Sequence, residues 1–84
     1  MRTQRHSDHI KSLTELDVGT KGIISNLRGG HGFKRRLGTR GIRIGKPVRI
    51  VAKQFRGPIV VESDGFQITL GRGMARKVLV KVQK

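Results

Sequence analysis

Short apolar segments that alternate with turn signals occupy most of the chain. Five of them have the length and the Val, Ile and Leu content of strands: residues 20–27, 47–53, 59–61, 66–70 and 78–82. Asp64-Gly65 is typical of a tight hairpin, and Gly57-Pro58 is typical of a turn. The sequence therefore predicts a mainly β protein with short helices, in which about five antiparallel strands curl into a small barrel.

The predicted strands differ in how regularly their apolar residues alternate. Two strands alternate cleanly: Val48, Ile50 and Ala52 are predicted to share one face of the first, and Phe66, Ile68 and Leu70 alternate in the second. In residues 20–27 the apolar positions do not alternate, which predicts a β-bulge or a strand that leaves the core.

The chain is long enough for only one small core. It has 84 residues, of which 35% are hydrophobic and 4% aromatic. Residues 1–11 are polar and lack apolar periodicity, so we predict a mobile tail there and a single domain over residues 12–84. At the start of that domain, Ser12 and Glu15 have the spacing of a capping box, which predicts a helical turn.

The most basic part of the sequence is GGHGFKRRLGTRGIRIG, residues 29–45, which contains no acid. Phe33 and Leu37 lie four residues apart, so the segment predicts a short helix with one apolar stripe. Gly41 is positioned to end this helix in a left-handed conformation. The cations of the segment are the candidate partner-binding residues: Lys34, Arg35, Arg36, Arg40 and Arg43. Arg36 has an alternative role as a cap for nearby carbonyl groups.

The distribution of charge indicates an anionic partner. The net charge is +14, and residues 18–61 contain no Asp or Glu. Such a surface attracts nucleic acid, anionic lipid or an acidic protein face. The chain has three Phe, no Tyr and no Trp, which leaves few rings for stacking on unpaired bases. The remaining functions that the sequence supports are charge-driven binding and binding to a protein partner.

Catalysis is poorly supported by the residue types present. The chain has no Cys, and the segment GIRIGKP, residues 41–47, is one residue shorter than a phosphate-binding loop and ends in Pro. We therefore predict a protein that is not an enzyme and has no cofactor and no small-molecule substrate.

Metal binding is also weakly supported. His6 and His9 flank Asp8 in the predicted tail, where they could meet a metal ion, but a closed site needs more ligands on ordered backbone. His31 stands alone between glycines. We predict no metal site.

The absence of a long apolar run predicts a cytoplasmic protein. No stretch approaches the length needed to span a bilayer, and the first residues lack the apolar core of a secretory signal.

The order of motifs resembles the FeoA family. The resemblance lies in SLTEL, TKGIISNLRGG, KRRLGTRGIRIGKPVRIV, RGPIVV, DGFQITLGRGMA and VLVKV, and it covers nearly all of residues 12–82. It implies an SH3-like barrel in which Gly41 and Gly45 permit turns. The core residues that it implies are Leu37, Ile42, Val48, Ile59 and Ile68.

The resemblance implies an accessory role in ferrous iron uptake, with binding to the cytoplasmic part of an FeoB-type membrane permease that carries a GTPase domain. The domain also resembles the C-terminal SH3-like module of iron-dependent repressors, which serves protein contacts. A charge of +14 is higher than the resemblance leads us to expect. The charge could meet an acidic permease surface or anionic lipid at the inner face of the membrane. The alternative is an SH3-like barrel that binds nucleic acid through its basic face.

Overall fold

Six antiparallel strands form one sheet in the computed structural model, which describes residues 10–83. The strands are β1 (Ile10–Ser12), β2 (Lys21–Leu27), β3 (Pro47–Lys53), β4 (Ile59–Ser63), β5 (Phe66–Leu70) and β6 (Val78–Val82). A 3-10 turn (Leu13–Glu15) and the helices α1 (His31–Thr39) and α2 (Arg72–Ala75) connect them. The order across the sheet is β1-β6-β2-β3-β4-β5, so β1 and β5 are its edges. The predicted mainly β fold with short helices is confirmed.

The first strand begins within the segment that the sequence predicts to be a polar tail. In β1, Ile10 pairs with Lys81 of β6 and Ser12 pairs with Leu79. Ile10 and Lys11 therefore belong to the sheet, which has one strand more than the sequence predicts. Three residues are too few to show a period of two, and this pairing depends on backbone groups that every residue carries. His6 and His9 lie outside the described residues.

The predicted capping box forms at the first helical turn. The Ser12 hydroxyl accepts a hydrogen bond from the Thr14 N–H at 3.1 Å, and the Glu15 carboxylate accepts one from the Ser12 N–H at 2.9 Å. The turn is a single 3-10 turn. Lys53 of β3 fixes it to the sheet, because its ammonium group donates to the carbonyl oxygens of Thr14 at 3.0 Å and Leu16 at 2.8 Å.

The core lies between the strands and the helical segments. Its buried apolar residues are Leu13, Leu16, Ile24, Leu27, Leu37, Ile42, Val48, Ile50, Ile59, Val61, Ile68, Leu70, Ala75, Val78 and Val80. All five of the core residues that the family resemblance implies are among them. No helix within residues 10–83 is long and apolar enough to cross a membrane.

Two β-bulges interrupt the ladders. The bulge predicted for the first long strand lies between Ile24 and Asn26 of β2, where the register with β6 shifts. A second, unpredicted bulge lies between Ile50 and Ala52 of β3. Because the bulge breaks the period of two, Ala52 is exposed whereas Val48 and Ile50 are buried, and the prediction that the three share one face was wrong.

The β4–β5 hairpin turns at Asp64 and Gly65, as the sequence predicts. Both residues have a positive φ, +53° and +83°, which a two-residue hairpin turn of type I′ requires. Phe66 follows the turn and pairs with Ser63 at the end of the ladder. Its side chain is 72% exposed because this end of the hairpin extends past the core. Ile68 and Leu70, the other two residues of the alternating set, are buried.

Candidate functional site: the basic corner

Helix α1 presents the most basic segment of the chain on its outer side. Leu37 is fully buried, and Phe33, one turn earlier, packs against the core. The intervening residues therefore point away from the core, as expected for a helix with one narrow apolar stripe. The cations of α1 and of the loop that follows it form a surface that we call the basic corner: Lys34, Arg35, Arg36, Arg40 and Arg43. All five are exposed.

A Schellman motif fixes the end of α1. Gly41 has a φ of +99°, a left-handed conformation that favours glycine. The Ile42 N–H donates to the Leu37 carbonyl oxygen at 2.9 Å, and the Gly41 N–H donates to the Gly38 carbonyl oxygen at 3.1 Å. Leu37 and Ile42 are both fully buried, which supplies the apolar contact typical of this motif. The predicted role of Gly41 is confirmed, and the motif gives the basic corner a rigid base.

Arg40 joins the basic corner to the edge of the sheet. Its guanidinium group donates a hydrogen bond to the Thr69 carbonyl oxygen of β5 and lies 3.9 Å from the sulfur of Met74 in α2. The alternative capping role proposed for Arg36 is not seen within residues 10–83, where its side chain donates to no backbone carbonyl. Arg40, rather than Arg36, meets a backbone carbonyl.

The ion pairs that the structure describes do not involve the basic corner. Asp64 pairs with Lys46 at 2.8 Å, and Glu62 pairs with Arg49 at 2.6 Å. Glu15 is occupied in the capping box. Within residues 10–83, none of the five cations of the basic corner forms an ion pair. Their charge is therefore not neutralised by the part of the chain that the structure describes.

A shallow cavity of about 210 Å³ lies between the end of α1 and the β4–β5 hairpin. Its lining includes the cations Arg40 and Arg43, the apolar residues Phe66 and Ile68, and the ion pair of Lys46 with Asp64. Ligand pockets for small molecules usually exceed about 300 Å³ and enclose their occupant. This cavity instead adds an apolar contact area to a cationic surface, the combination found at protein interfaces.

Phe66 is the residue of this surface that the sequence prediction missed. Its exposure could have been inferred from its place directly after the Asp64-Gly65 turn, because the first residue after a tight turn lies at the end of the core. The alternation of Phe66 with Ile68 and Leu70 concealed that signal.

Groups that could hold a metal ion or perform acid-base chemistry are sparse. No cluster of three or more His, Cys, Asp or Glu side chains occurs among the described residues. His31 is the first residue of α1 and is exposed.

The fold and the basic corner together define a small SH3-like β domain with an exposed cationic surface. Residues 11–82 match the family model of the FeoA domain. The chain belongs to the FeoA family.

Individual relatives agree with the family match. A protein of Methanocaldococcus jannaschii named "Putative Fe(2+) transport protein A" is 33% identical over 63 residues, which are 75% of this chain and 76% of the relative. The crystal structure of an iron uptake regulatory protein (FeoA) is 30% identical and superposes with a TM-score of 0.84 over 88% of this chain and 99% of that chain.

The resemblance to metal-dependent repressors extends to the fold. A manganese-dependent transcriptional repressor superposes with a TM-score of 0.81 at 22% identity. The match covers 88% of this chain and 42% of the repressor. The two proteins therefore share the SH3-like domain architecture.

Proposed function

We propose that the protein is a non-enzymatic accessory and regulatory protein of ferrous iron uptake. In this proposal it binds the cytoplasmic part of an FeoB-type permease that carries a GTPase domain, and the basic corner is the contact surface. The observation that carries the proposal is the set of five exposed cations on a rigid helix end, with no carboxylate partner within residues 10–83. The relatives named for iron uptake and Fe(2+) transport support the assignment to this process.

The physical argument favours an acidic protein partner. Exposed cations steer association with a surface of opposite charge and set its orientation. The cavity beside them adds Phe66, which is 72% exposed, as an apolar contact for the interface. A partner surface with carboxylates around an apolar side chain would match this arrangement. Binding to the permease would place the protein in the cytoplasm, at the inner face of the membrane.

The proposal is tested by capture of the permease from detergent-treated lysate of the source cells. Tagged protein is the bait, at cytosolic salt, with and without nuclease. The proposal predicts that a membrane permease with a GTPase domain is retained and that nuclease does not release it. Retention of nucleic acid and ribosome-associated proteins only, all lost after nuclease treatment, would overturn it.

Nucleic acid is the competing partner for the same surface. If the cations bound duplex DNA, the logarithm of the binding constant would fall with the logarithm of salt concentration with a slope of about −0.9 per neutralised phosphate. We predict that any binding of duplex DNA by the purified protein is weak at cytosolic salt. Tight binding of duplex DNA with a steep salt dependence would favour the nucleic-acid function if the binding is lost in Arg35→Glu/Arg36→Glu.

A further inference from the structure

The loop between β3 and β4 presents an aromatic side chain to solvent. Phe55 is 90% exposed, the highest value among the large apolar residues that the structure leaves at the surface of residues 10–83. An exposed phenyl ring contributes nothing to the core. The residues around the ring indicate what it can contact.

The loop is braced at both ends. The Gly57 N–H donates to the Gln54 carbonyl oxygen at 2.9 Å. The Gln54 N–H donates to the Pro58 carbonyl oxygen at 3.3 Å. Arg72 of α2 adds two hydrogen bonds from its guanidinium group, to the Gln54 oxygen at 2.8 Å and the Gly57 oxygen at 3.2 Å. The ring of Phe55 thus projects from a fixed loop.

The backbone beside the ring has a costly conformation. Arg56 has a φ of +59°, in the left-handed region that non-glycine residues rarely occupy. In this conformation its guanidinium carbon lies 5.3 Å from the centroid of the Phe55 ring. Backbone strain that the surrounding structure maintains is often found at functional sites.

The surroundings of the ring are cationic. The described residues that line the open cavity beside it are Lys53, Gln54, Phe55, Arg56 and Arg72, and none of them is acidic. Lys53 and Arg72 donate to carbonyl oxygens, which leaves their positive charge without a carboxylate partner in this cavity.

We infer that this loop inserts Phe55 into the interface of an anionic membrane leaflet. A single projecting ring surrounded by cations fits the headgroup region, where the ring reaches the acyl boundary and the cations meet lipid phosphates. A protein pocket usually contacts an anchor residue within a larger apolar patch, and the residues lining this cavity provide no second apolar side chain. The partner is therefore the lipid surface, and the basic corner remains available for the permease.

The inference uses the proposed function only to bring the protein close to a membrane, and its test contains no permease. The chain has no Trp, so Phe55→Trp introduces a single fluorophore at the tip of the loop. Phe66→Trp is the matched control, because Phe66 is also exposed but lies at the turn of the β4–β5 hairpin. The probes are vesicles of phosphatidylcholine with phosphatidylglycerol and vesicles of phosphatidylcholine alone.

Anionic vesicles are expected to shift the emission of the Trp at position 55 to the blue, and to leave the emission at position 66 unchanged. Phe55→Ser is expected to weaken sedimentation with anionic vesicles about tenfold, since withdrawing a phenyl ring from water contributes at least that factor. Phe66→Ser is expected to sediment like the unmodified protein.

Two results would overturn the inference. One is sedimentation with anionic vesicles without any shift at position 55, which would show that the cations bind without insertion of the ring. The other is no binding to anionic vesicles. Neither result would change what is expected of the permease capture, so the two proposals fail separately.

Discussion

Arg40, at the end of α1, donates a hydrogen bond to the backbone carbonyl oxygen of Thr69 on the edge strand β5. The two residues are 29 positions apart in the sequence. This contact ties the helix that carries the basic corner to the sheet. It also covers a carbonyl group on an edge strand, where an unpaired backbone group invites pairing with other chains.

Arg40→Ala is expected to lower the free energy of unfolding by about 0.5 to 1 kcal/mol, because one exposed hydrogen bond to a backbone carbonyl is lost. Arg40→Lys keeps the charge but not the geometry of the guanidinium group, so it separates the two roles. Compared with Arg40→Ala, we expect Arg40→Lys to regain more of the affinity for the permease than of the free energy of unfolding. Urea denaturation and a binding titration of both variants measure this. Equal losses of stability and affinity in the two variants would contradict it.

Two glycines of the α1 region are expected to respond to alanine with opposite signs. Gly41→Ala places a Cβ atom on a residue with a φ of +99° and should lower the free energy of unfolding by about 1 to 2 kcal/mol. Gly38 is within the helix, and a Cβ there would meet nothing closer than Arg43 at 3.8 Å. Gly38→Ala should therefore raise the free energy of unfolding by about 0.5 to 1 kcal/mol. Urea denaturation midpoints report both, and a Gly41→Ala variant as stable as the unmodified protein would contradict the left-handed helix end.

The two ends of β5 should differ sharply in their response to truncation. Leu70 is fully buried, so Leu70→Ala should cost about 2 to 5 kcal/mol of stability. Phe66 is 72% exposed, and Phe66→Ala should change stability by less than about 1 kcal/mol. Thermal or urea unfolding of the two variants measures the contrast. A loss of several kcal/mol in Phe66→Ala would contradict the exposure of its side chain.

Arg72 should govern the order of the Phe55 loop. Arg72→Met keeps the aliphatic stem but removes both hydrogen bonds to the loop carbonyls. The Gly57 amide should then exchange its hydrogen faster, because the loop can open locally. Arg76→Met is the control, since Arg76 is exposed and donates no side-chain hydrogen bond within residues 10–83. Equal exchange rates in the two variants would show that Arg72 does not brace the loop.

Much of the fold was predictable because local signals agreed with tertiary packing. Ser12 and Glu15 give the capping box, Gly41 gives the helix end, and Asp64-Gly65 gives the hairpin. Strand β1 was missed because backbone pairing of three residues leaves no pattern in the side chains. Ala52 was misplaced because the sequence carries no mark of the bulge beside it.

The candidate site also has features that the sequence predicts and features that it does not. The exposure of Lys34, Arg35 and Arg36 follows from the spacing of Phe33 and Leu37. The contact of Arg40 with Thr69, and the position of Phe66 beside the basic corner, depend on how α1 meets the hairpin. Those long-range relationships are set by tertiary packing, which no local pattern specifies.

The most direct test of the basic corner is a calorimetric titration of the purified protein with the cytoplasmic part of the permease at cytosolic salt. Arg35→Glu/Arg36→Glu reverses two cations of the corner. Lys11→Glu/Lys81→Glu is the matched control, with the same change of charge on β1 and β6 at the other edge of the sheet. We predict that the first variant binds at least about tenfold more weakly than the unmodified protein, because truncating or reversing charges at a complementary interface removes favourable contacts and adds repulsion. The control should keep its affinity. Unchanged affinity in the first variant, or an equal loss in both, would contradict the account.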